Sequence, residues 1–381
     1  MMYFLYKWIH EYFGPNAQPP ETLKALNVLQ YITFRSMGAA ITAFLLCLVF
    51  GDRVIRKLIS LKVGQPIRTK EEVHKLSELH GGKRGTPTMG GVLLLGAVVV
   101  STLIWGRPDM PVVWLALFTI VYLGAIGFID DYLKVSKKKS DGLSGRLKLV
   151  AQFALAGLVT WFFLRNPATD VQARMIFVPF YKSPLVSLGG LAGACLVFLF
   201  YSGIIVGSSN AVNLTDGLDG LATGCTIIVA SAYAVLAYCA GHEKISTYLE
   251  IPFYSFSGEL TVLCMALVGA GLGFLWFNCH PAKVFMGDTG SLAIGGFLGV
   301  VAICCKQELL MLIVGGVFVI EAMSVILQVL SFKLTGKRIF AMSPIHHHFE
   351  LKGWKENTVI VRFWIISIIF AFLGLATLKL R

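Results

Sequence analysis

Apolar runs recur along the chain with polar punctuation between them, over residues 29–51, 89–105, 112–129, 147–164, 188–207, 221–240, 260–277, 290–305, 309–332 and 358–378. Runs of this length predict membrane-spanning helices. Several fall short of the roughly 20 residues that an untilted span needs, so their boundary residues are expected to extend into the headgroup zone. The segment from Met1 to Lys24 is too polar and too aromatic for a signal-peptide core, so the first helix is expected to stay in place. The pattern predicts an all-α integral membrane protein of ten transmembrane helices, a single polytopic domain over residues 1–381.

Charge orients these spans. The loops after odd-numbered spans hold 22 of the 33 Lys and Arg, most of them in residues 52–88 and 130–148, and the opposite side with both tails holds ten. The positive-inside bias puts the odd-span loops in the cytoplasm and both termini outside. Composition agrees, with 56% hydrophobic and 14% charged residues and a mean hydropathy of +0.73. A net charge of +12 favours anionic headgroups and anionic substrates, and so apolar a chain is a poor nucleic-acid binder. Eight Cys, mostly inside apolar runs and without a C-x-x-C pair, do not read as a disulfide frame.

Against this background the acids stand out. Five of the nine Asp (Asp130, Asp131, Asp216, Asp219 and Asp288) fall at ends of apolar segments on the predicted cytoplasmic side. A carboxylate at a membrane boundary loses hydration, and five on one face suggest metal-assisted chemistry at the bilayer surface. Asp130 and Asp131 end the third span, where carboxylates oppose the helix dipole, so structure gains little from them. Lys134 and Lys148 follow as candidate phosphate ligands, whereas Lys137, Lys138 and Lys139 read as positive-inside charge.

The stretch from Asn210 to Gly220 packs Asn, Asp and Gly between two apolar helices. Asn213, Asp216 and Asp219 recur every three residues, near one face of a helical turn. Gly217 and Gly220 permit close backbone approach, and no EF-hand order is present. Further on, Asp288 sits between glycines at a helix start, in Phe285-Met286-Gly287-Asp288-Thr289-Gly290-Ser291, a cap or a ledge for metal or phosphate. Asn278 and Lys283 lie just upstream, and Phe285 is a candidate to stack on a nucleobase. Lys83 and Thr88 belong to a Gly-rich stretch, Gly81 to Gly91, with the make-up of a phosphate cradle but no P-loop order. His346, His347 and His348 cannot all point one way, which argues against a three-histidine zinc site and for donors to phosphate or sugar. Gly189 with Gly193, and Gly295 with Gly299, are spaced for helix packing. Arg35 and Glu321 are intramembrane charges without a role read from sequence.

Taken together, Thr86-Pro87-Thr88-Met89-Gly90-Gly91, Asp130-Asp131, Asn213 through Gly220, Phe285 through Ser291 and His346-His347-His348-Phe349-Glu350 closely resemble the phospho-N-acetylmuramoyl-pentapeptide transferase family. This family is a branch of the polyprenyl-phosphate N-acetylhexosamine-1-phosphate transferases. The resemblance runs from about residue 25 to the end. It implies transfer of phospho-MurNAc-pentapeptide from UDP-MurNAc-pentapeptide to undecaprenyl phosphate, giving lipid I and UMP, with Mg²⁺ as cofactor. It also implies ten helices in a bacterial inner membrane, a cytoplasmic cleft, a broken ninth helix and a homodimer. On the same ground Asp219 and the backbone at Gly217 and Leu218 face uracil under Phe285, Asp216 lies nearer metal and phosphates, and Lys83, Thr88, Asn213, Asn278 and His348 bind substrate. Asp288, with Asp216, is the expected Mg²⁺ ligand, and Asp130 is the candidate base. Asp131, Lys134, Lys148, His346 and His347 complete the expected catalytic set. The rivals are a GlcNAc-1-phosphate transferase of the same superfamily and, in another class, an ion or metabolite transporter, which predicts mid-span charges instead.

Overall fold

In the computed structural model, residues 1–13, 25–61, 85–137 and 142–379 are described. An N-terminal helix α1 (Met2–Phe13) leads to α2 (Ile32–Ser60), α3 (Gly91–Trp105), α4 (Pro111–Lys137) and α5 (Gly145–Arg165). A short excursion follows, α6 (Pro167–Ala173) with an antiparallel pair β1 (Met175–Ile176) and β2 (Val186–Ser187). Then come α7 (Gly190–Thr215), α8 (Leu221–Gly241), α9 (Glu243–Leu249), α10 (Leu260–Asn278) and α11 (Gly287–Cys304). The ninth apolar segment is divided at Gly315 into α12 (Met311–Val314) and α13 (Gly316–Thr335). The chain ends with α14 (Ile345–Leu351) and α15 (Glu356–Ala376).

Among the described residues nine helices are long and apolar enough to cross a bilayer. The apolar helix α3, at 15 residues, is shorter than a span. Each apolar run read from the sequence coincides with one of these ten helices, but the ends differ. α2 continues to Ser60, α4 to Lys137 and α7 to Thr215, so Asp130, Asp131, Lys134, Asn210 and Asn213 are helical rather than in loops. Hydropathy stops where the first charge appears, whereas the backbone ladder continues because these polar side chains pair across helices. The sequence reading also left α1 unassigned.

Burial is graded. α11 is 94% buried over its apolar window, α10 78% and α8 72%, whereas α2, α7 and α13 are only 28% buried. α11 is therefore the axis, and the outer helices present apolar faces such as Leu45, Val49, Leu196, Leu199 and Leu330. Glycine allows the close crossings. A Cβ on Gly295 of α11 would lie 2.7 Å from the Ser209 Cα of α7. Gly189 and Gly193 do not behave as the sequence spacing suggests. Among the described residues nothing lies within 4 Å of a Cβ at Gly189, and the three atoms nearest a Cβ at Gly193 all belong to Leu188, because both sit at the first turn of α7.

All eight cysteines are free and six are buried, in agreement with the absence of a disulfide frame. Arg35 gains a partner. Its guanidinium donates to both oxygens of Glu259, at 2.7 and 2.6 Å, and to the Trp105 carbonyl at 3.2 Å. Tyr3 of α1 lies under the guanidinium groups of both Arg35 and Arg107. This buried pair ties α2 and the end of α3 to the turn that starts α10. Breaking one half of a buried ion pair costs about 3–5 kcal/mol. The Glu259→Gln variant is therefore expected to lower the thermal midpoint in detergent sharply, while Arg35→Met combined with Glu259→Leu recovers most of the loss. An unchanged midpoint in Glu259→Gln contradicts this account.

Candidate active site

The acidic motifs converge at one end of the bundle, where α4 ends and α5 and α11 begin. Gly287 starts this arrangement. It adopts φ +73°, and a Cβ there would lie 2.6 Å from Asp131 Oδ2 and 2.8 Å from Thr88 Oγ1. Only glycine lets the backbone turn into α11 so close to both side chains. The connection before it is held by paired backbone. Phe285 N–H donates to the Pro87 carbonyl at 2.8 Å, and Gly90 and Gly91 donate back to Phe285 and Met286 at 2.8 and 2.9 Å.

Asp131 receives the start of α11. Its Oδ2 accepts from the backbone N–H (2.9 Å) and hydroxyl (2.8 Å) of Thr289, and its Oδ1 accepts from Asp288 N–H at 3.2 Å. A carboxylate from α4 thus caps a helix that cannot supply its own acceptor. Asp130, fully buried, meets two lysines. Lys134 Nζ is 2.6 Å from its Oδ2, and Lys148 Nζ is 2.9 Å from its Oδ1, which also accepts from Leu143 N–H at 2.6 Å. The same two ammonium groups reach Asp288 Oδ2, at 3.1 and 2.7 Å. Asn213 Nδ2 donates to Asp288 Oδ1 at 2.8 Å and to Ser291 Oγ at 2.9 Å.

These groups enclose a small cavity of about 60 Å³ lined by Thr88, Asp131, Lys134, Val135, Asn213, Asp216, Gly287 and Asp288. That volume suits an ion and its ligands rather than a nucleotide. Carboxylate oxygens of Asp130, Asp131 and Asp288 lie within 4.8 Å of one another. Around the cavity four carboxylates face two lysines, so negative charge is in excess. Asp216 registers it, since burial, and then the charges of Asp288 and Asp131, push its carboxyl up to about 7. Thr88 Oγ1 is buried against this cavity with no hydrogen-bond partner among the described residues. Oxygen donors, excess negative charge and an unsatisfied hydroxyl fit a hard divalent cation such as Mg²⁺.

The predicted set divides. Asp130, Asp131, Lys134, Lys148, Asn213, Asp216, Thr88 and Asp288 share this site. Asp219 leaves it, because the turn after Gly217 reverses through Gly220 at φ +75°. It lies instead beside His280 and Glu356, a second group with ligand atoms within 4.8 Å. Leu218 is buried and Gly217 exposed. Asn278 is an internal brace, accepting from the Thr223 hydroxyl and donating to the Val284 carbonyl. Phe285 is half-buried. Lys83, Lys138 and Lys139 lie outside the described residues.

The three histidines take different partners on α14, although the His346 and His347 rings lie with centroids 4.2 Å apart. His346 is fully buried, with Nδ1 3.1 Å from Glu321 Oε2 and its ring against Gly217. His347 Nδ1 lies 2.8 Å from Glu350, and His348 Nδ1 accepts from Ala341 N–H at 3.0 Å. Sequence reasoning missed His280, Thr289, Glu321 and Glu356. The intramembrane placement of Glu321 was the usable signal, since a buried carboxylate needs a partner. His280 and Glu356 look like ordinary loop and helix-start residues.

Comparison with known proteins agrees with this arrangement. The profile described as Glycosyl transferase family 4 matches residues 113–306, and a phospho-N-acetylmuramoyl-pentapeptide-transferase signature matches residues 83–95. The chain is 54% identical over 382 residues to the phospho-N-acetylmuramoyl-pentapeptide-transferase of Methylacidiphilum infernorum (isolate V4), covering 100% of both chains. With its acidic helix ends gathered into one polar cavity and its full length shared with such a relative, the chain belongs to the phospho-N-acetylmuramoyl-pentapeptide-transferase family, within glycosyl transferase family 4.

Proposed function

We propose that this protein transfers phospho-N-acetylmuramoyl-pentapeptide from UDP-MurNAc-pentapeptide to undecaprenyl phosphate, forming lipid I and UMP at the cytoplasmic face of a bacterial inner membrane. The observation that carries the reading is the cluster of Asp130, Asp288, Lys134 and Lys148 beside an ion-sized cavity lined by Asp131, Lys134, Asp216 and Asp288 at one end of an apolar bundle. Transport calls for charges along a through-path, and here Asp130, Asp131, Asp216 and Asp288 gather at one end with Lys134 and Lys148.

Two anions must meet, a lipid phosphate and a nucleotide pyrophosphate. Asp288 and Asp216 would hold Mg²⁺ beside Thr88. Held there, it would supply charge neutralisation at the pyrophosphate and for departing UMP. The protein's own groups do the rest. Lys134 and Lys148 bridge Asp130 and Asp288, so either ammonium can offset phosphate charge without leaving the site. Asn213 fixes the Asp288 carboxylate through Oδ1. The turn from Asp216 to Asp219 and the ring of Phe285 hold the nucleotide, and the family resemblance adds Lys83 as a further substrate contact. His347 and His348 contact the substrate's phosphate or sugar, and buried His346 acts from behind, as a support for Gly217. Asp130 is the candidate base. Both its oxygens face ammonium groups, so proton removal requires one lysine to leave it. The lipid phosphate's second pKa lies near ~6, so little basicity is needed.

The proposal extends to topology and assembly. Ten crossings, with α3 as a short tenth, put both termini outside and the site in the cytoplasm. The family resemblance supports a homodimer.

Three outcomes test the assignments. Asp288→Asn is expected to fold and insert but to lose nearly all turnover of UDP-MurNAc-pentapeptide with undecaprenyl phosphate across a Mg²⁺ series; near-normal rates at limiting Mg²⁺ sink the assignment. Phe285→Ala should weaken UMP binding by about 1–3 kcal/mol, the range for base–aromatic stacking, and unchanged affinity takes Phe285 out of the nucleotide site. For Asp130→Asn, a base role predicts slow turnover at neutral pH with partial recovery at higher pH, where the lipid phosphate ionises unaided. Stoichiometric UMP release without lipid acceptor by the unaltered protein, absent in Asp130→Asn, replaces the base with a covalent nucleophile.

A further inference from the structure

Three segments distant in sequence meet at Asp219, and nothing in the phosphoryl transfer itself requires two of them. The carboxylate of Asp219 is 2% exposed, and its Oδ2 accepts from Ala282 N–H at 3.1 Å. His280 Nδ1 lies 3.1 Å from that same oxygen and 3.5 Å from Glu356 Oε2. Glu356 Oε1 in turn accepts from the Asp219 backbone N–H at 3.1 Å. An ionised carboxylate only accepts, so the ring nitrogen between these two acids carries its hydrogen and donates. One imidazole thus joins the turn after α7, the connection into α11 and the first residue of α15. Without it, two carboxylates would face each other with no imidazole between them.

The connection that carries His280 and Ala282 also carries Phe285, whose backbone is pinned on Pro87 and Gly90. The ring and the carboxylate proposed above to meet the nucleobase are therefore set by one segment, and His280 is its node with Asp219. The chemistry of the base gives this orientation a consequence. Uracil presents an imide N–H at position 3, a donor, whereas cytosine presents a bare nitrogen there, an acceptor. An aimed carboxylate accepts from the first and repels the second, and a site built to pair one polar group discriminates strongly against an analogue lacking it.

We propose that His280 is a positioning residue for base recognition, which through its bridge between Asp219 and Glu356 aims the Asp219 carboxylate at uracil and so sets the preference for uridine over cytidine nucleotides. This rests on the reading that the turn from Asp216 to Asp219 holds the nucleotide. His280 is one-third exposed, so its truncation opens no internal cavity.

The test uses the full-length protein in detergent. UMP and CMP binding are measured by calorimetry, and KM is determined separately for UDP-MurNAc-pentapeptide and undecaprenyl phosphate. His280→Ala is expected to weaken UMP binding roughly tenfold, as for loss of a hydrogen bond to a charged group. CMP binding changes little, so the UMP-to-CMP preference shrinks. KM for the UDP-sugar rises, and KM for the lipid stays. His280→Asn, whose amide can replace the Nδ1 donor, should retain most of the preference. A folded His280→Ala variant with an unchanged UMP-to-CMP ratio overturns the proposal, as does a loss in which both substrates' KM values rise together. Asp219→Asn separates the two layers. If it leaves UMP binding unchanged, the nucleotide reading itself fails. If it weakens UMP binding while His280→Ala does not, only the positioning role fails.

Discussion

A helix start buried among other helices has N–H groups that water cannot reach, and they must find acceptors. At the start of α11 the acceptor is Asp131, a carboxylate from α4 that takes three donors from Asp288 and Thr289. Much of the active end follows from that one requirement. The cap brings α4 against α11, and neighbouring Asp130, a fraction of a turn away on the same helix, faces Lys134 and Lys148. The positive end of the α11 dipole then lies where Asp288 projects, and negative charge is tolerated there. Asp131 thus caps a helix while Asp130 and Asp288 pair with the lysines, although all three look alike in sequence.

The same crowding explains the distribution of glycine. α11 is enclosed along its length, and its crossings with α3 and α7 occur where Gly91, Gly290 and Gly295 leave room for backbone. A bundle packed this way gains contact without polar adhesion, and polar atoms are left for the ends. The far end uses them for the Arg35–Glu259 pair.

Much of this was legible in the sequence. Each of the ten apolar runs became a helix, and the clustering of Asp130, Asp131, Asp216 and Asp288 with Lys134 and Lys148 was readable because charges at bilayer boundaries are too costly to be incidental. What was not legible depends on rotation about helix axes and on turns. Asn213 and Asp216 stay with the cavity, whereas Asp219, three residues on, is carried away by the reversal at Gly220. Spacing alone implies one shared face. The histidine tract likewise shows only that its members diverge, and that His346 faces inward to Glu321 depends on how α14 meets α13. The Gly189–Gly193 spacing misled, since small residues at a helix start need face no neighbour.

The shortness of α3 has a consequence for the surrounding lipid. Fifteen residues rise roughly 22 Å along a helix, some 8 Å less than a typical hydrocarbon core. Its first turn is fastened to the loop before α11 and cannot slide toward the water. Thr88 at the cavity stands three residues before that first turn, so a bilayer of average thickness must thin around α3 for its apolar length to match. Membranes of different thickness thus impose different mismatch costs on the same bundle, and its stability becomes a property of protein and bilayer jointly.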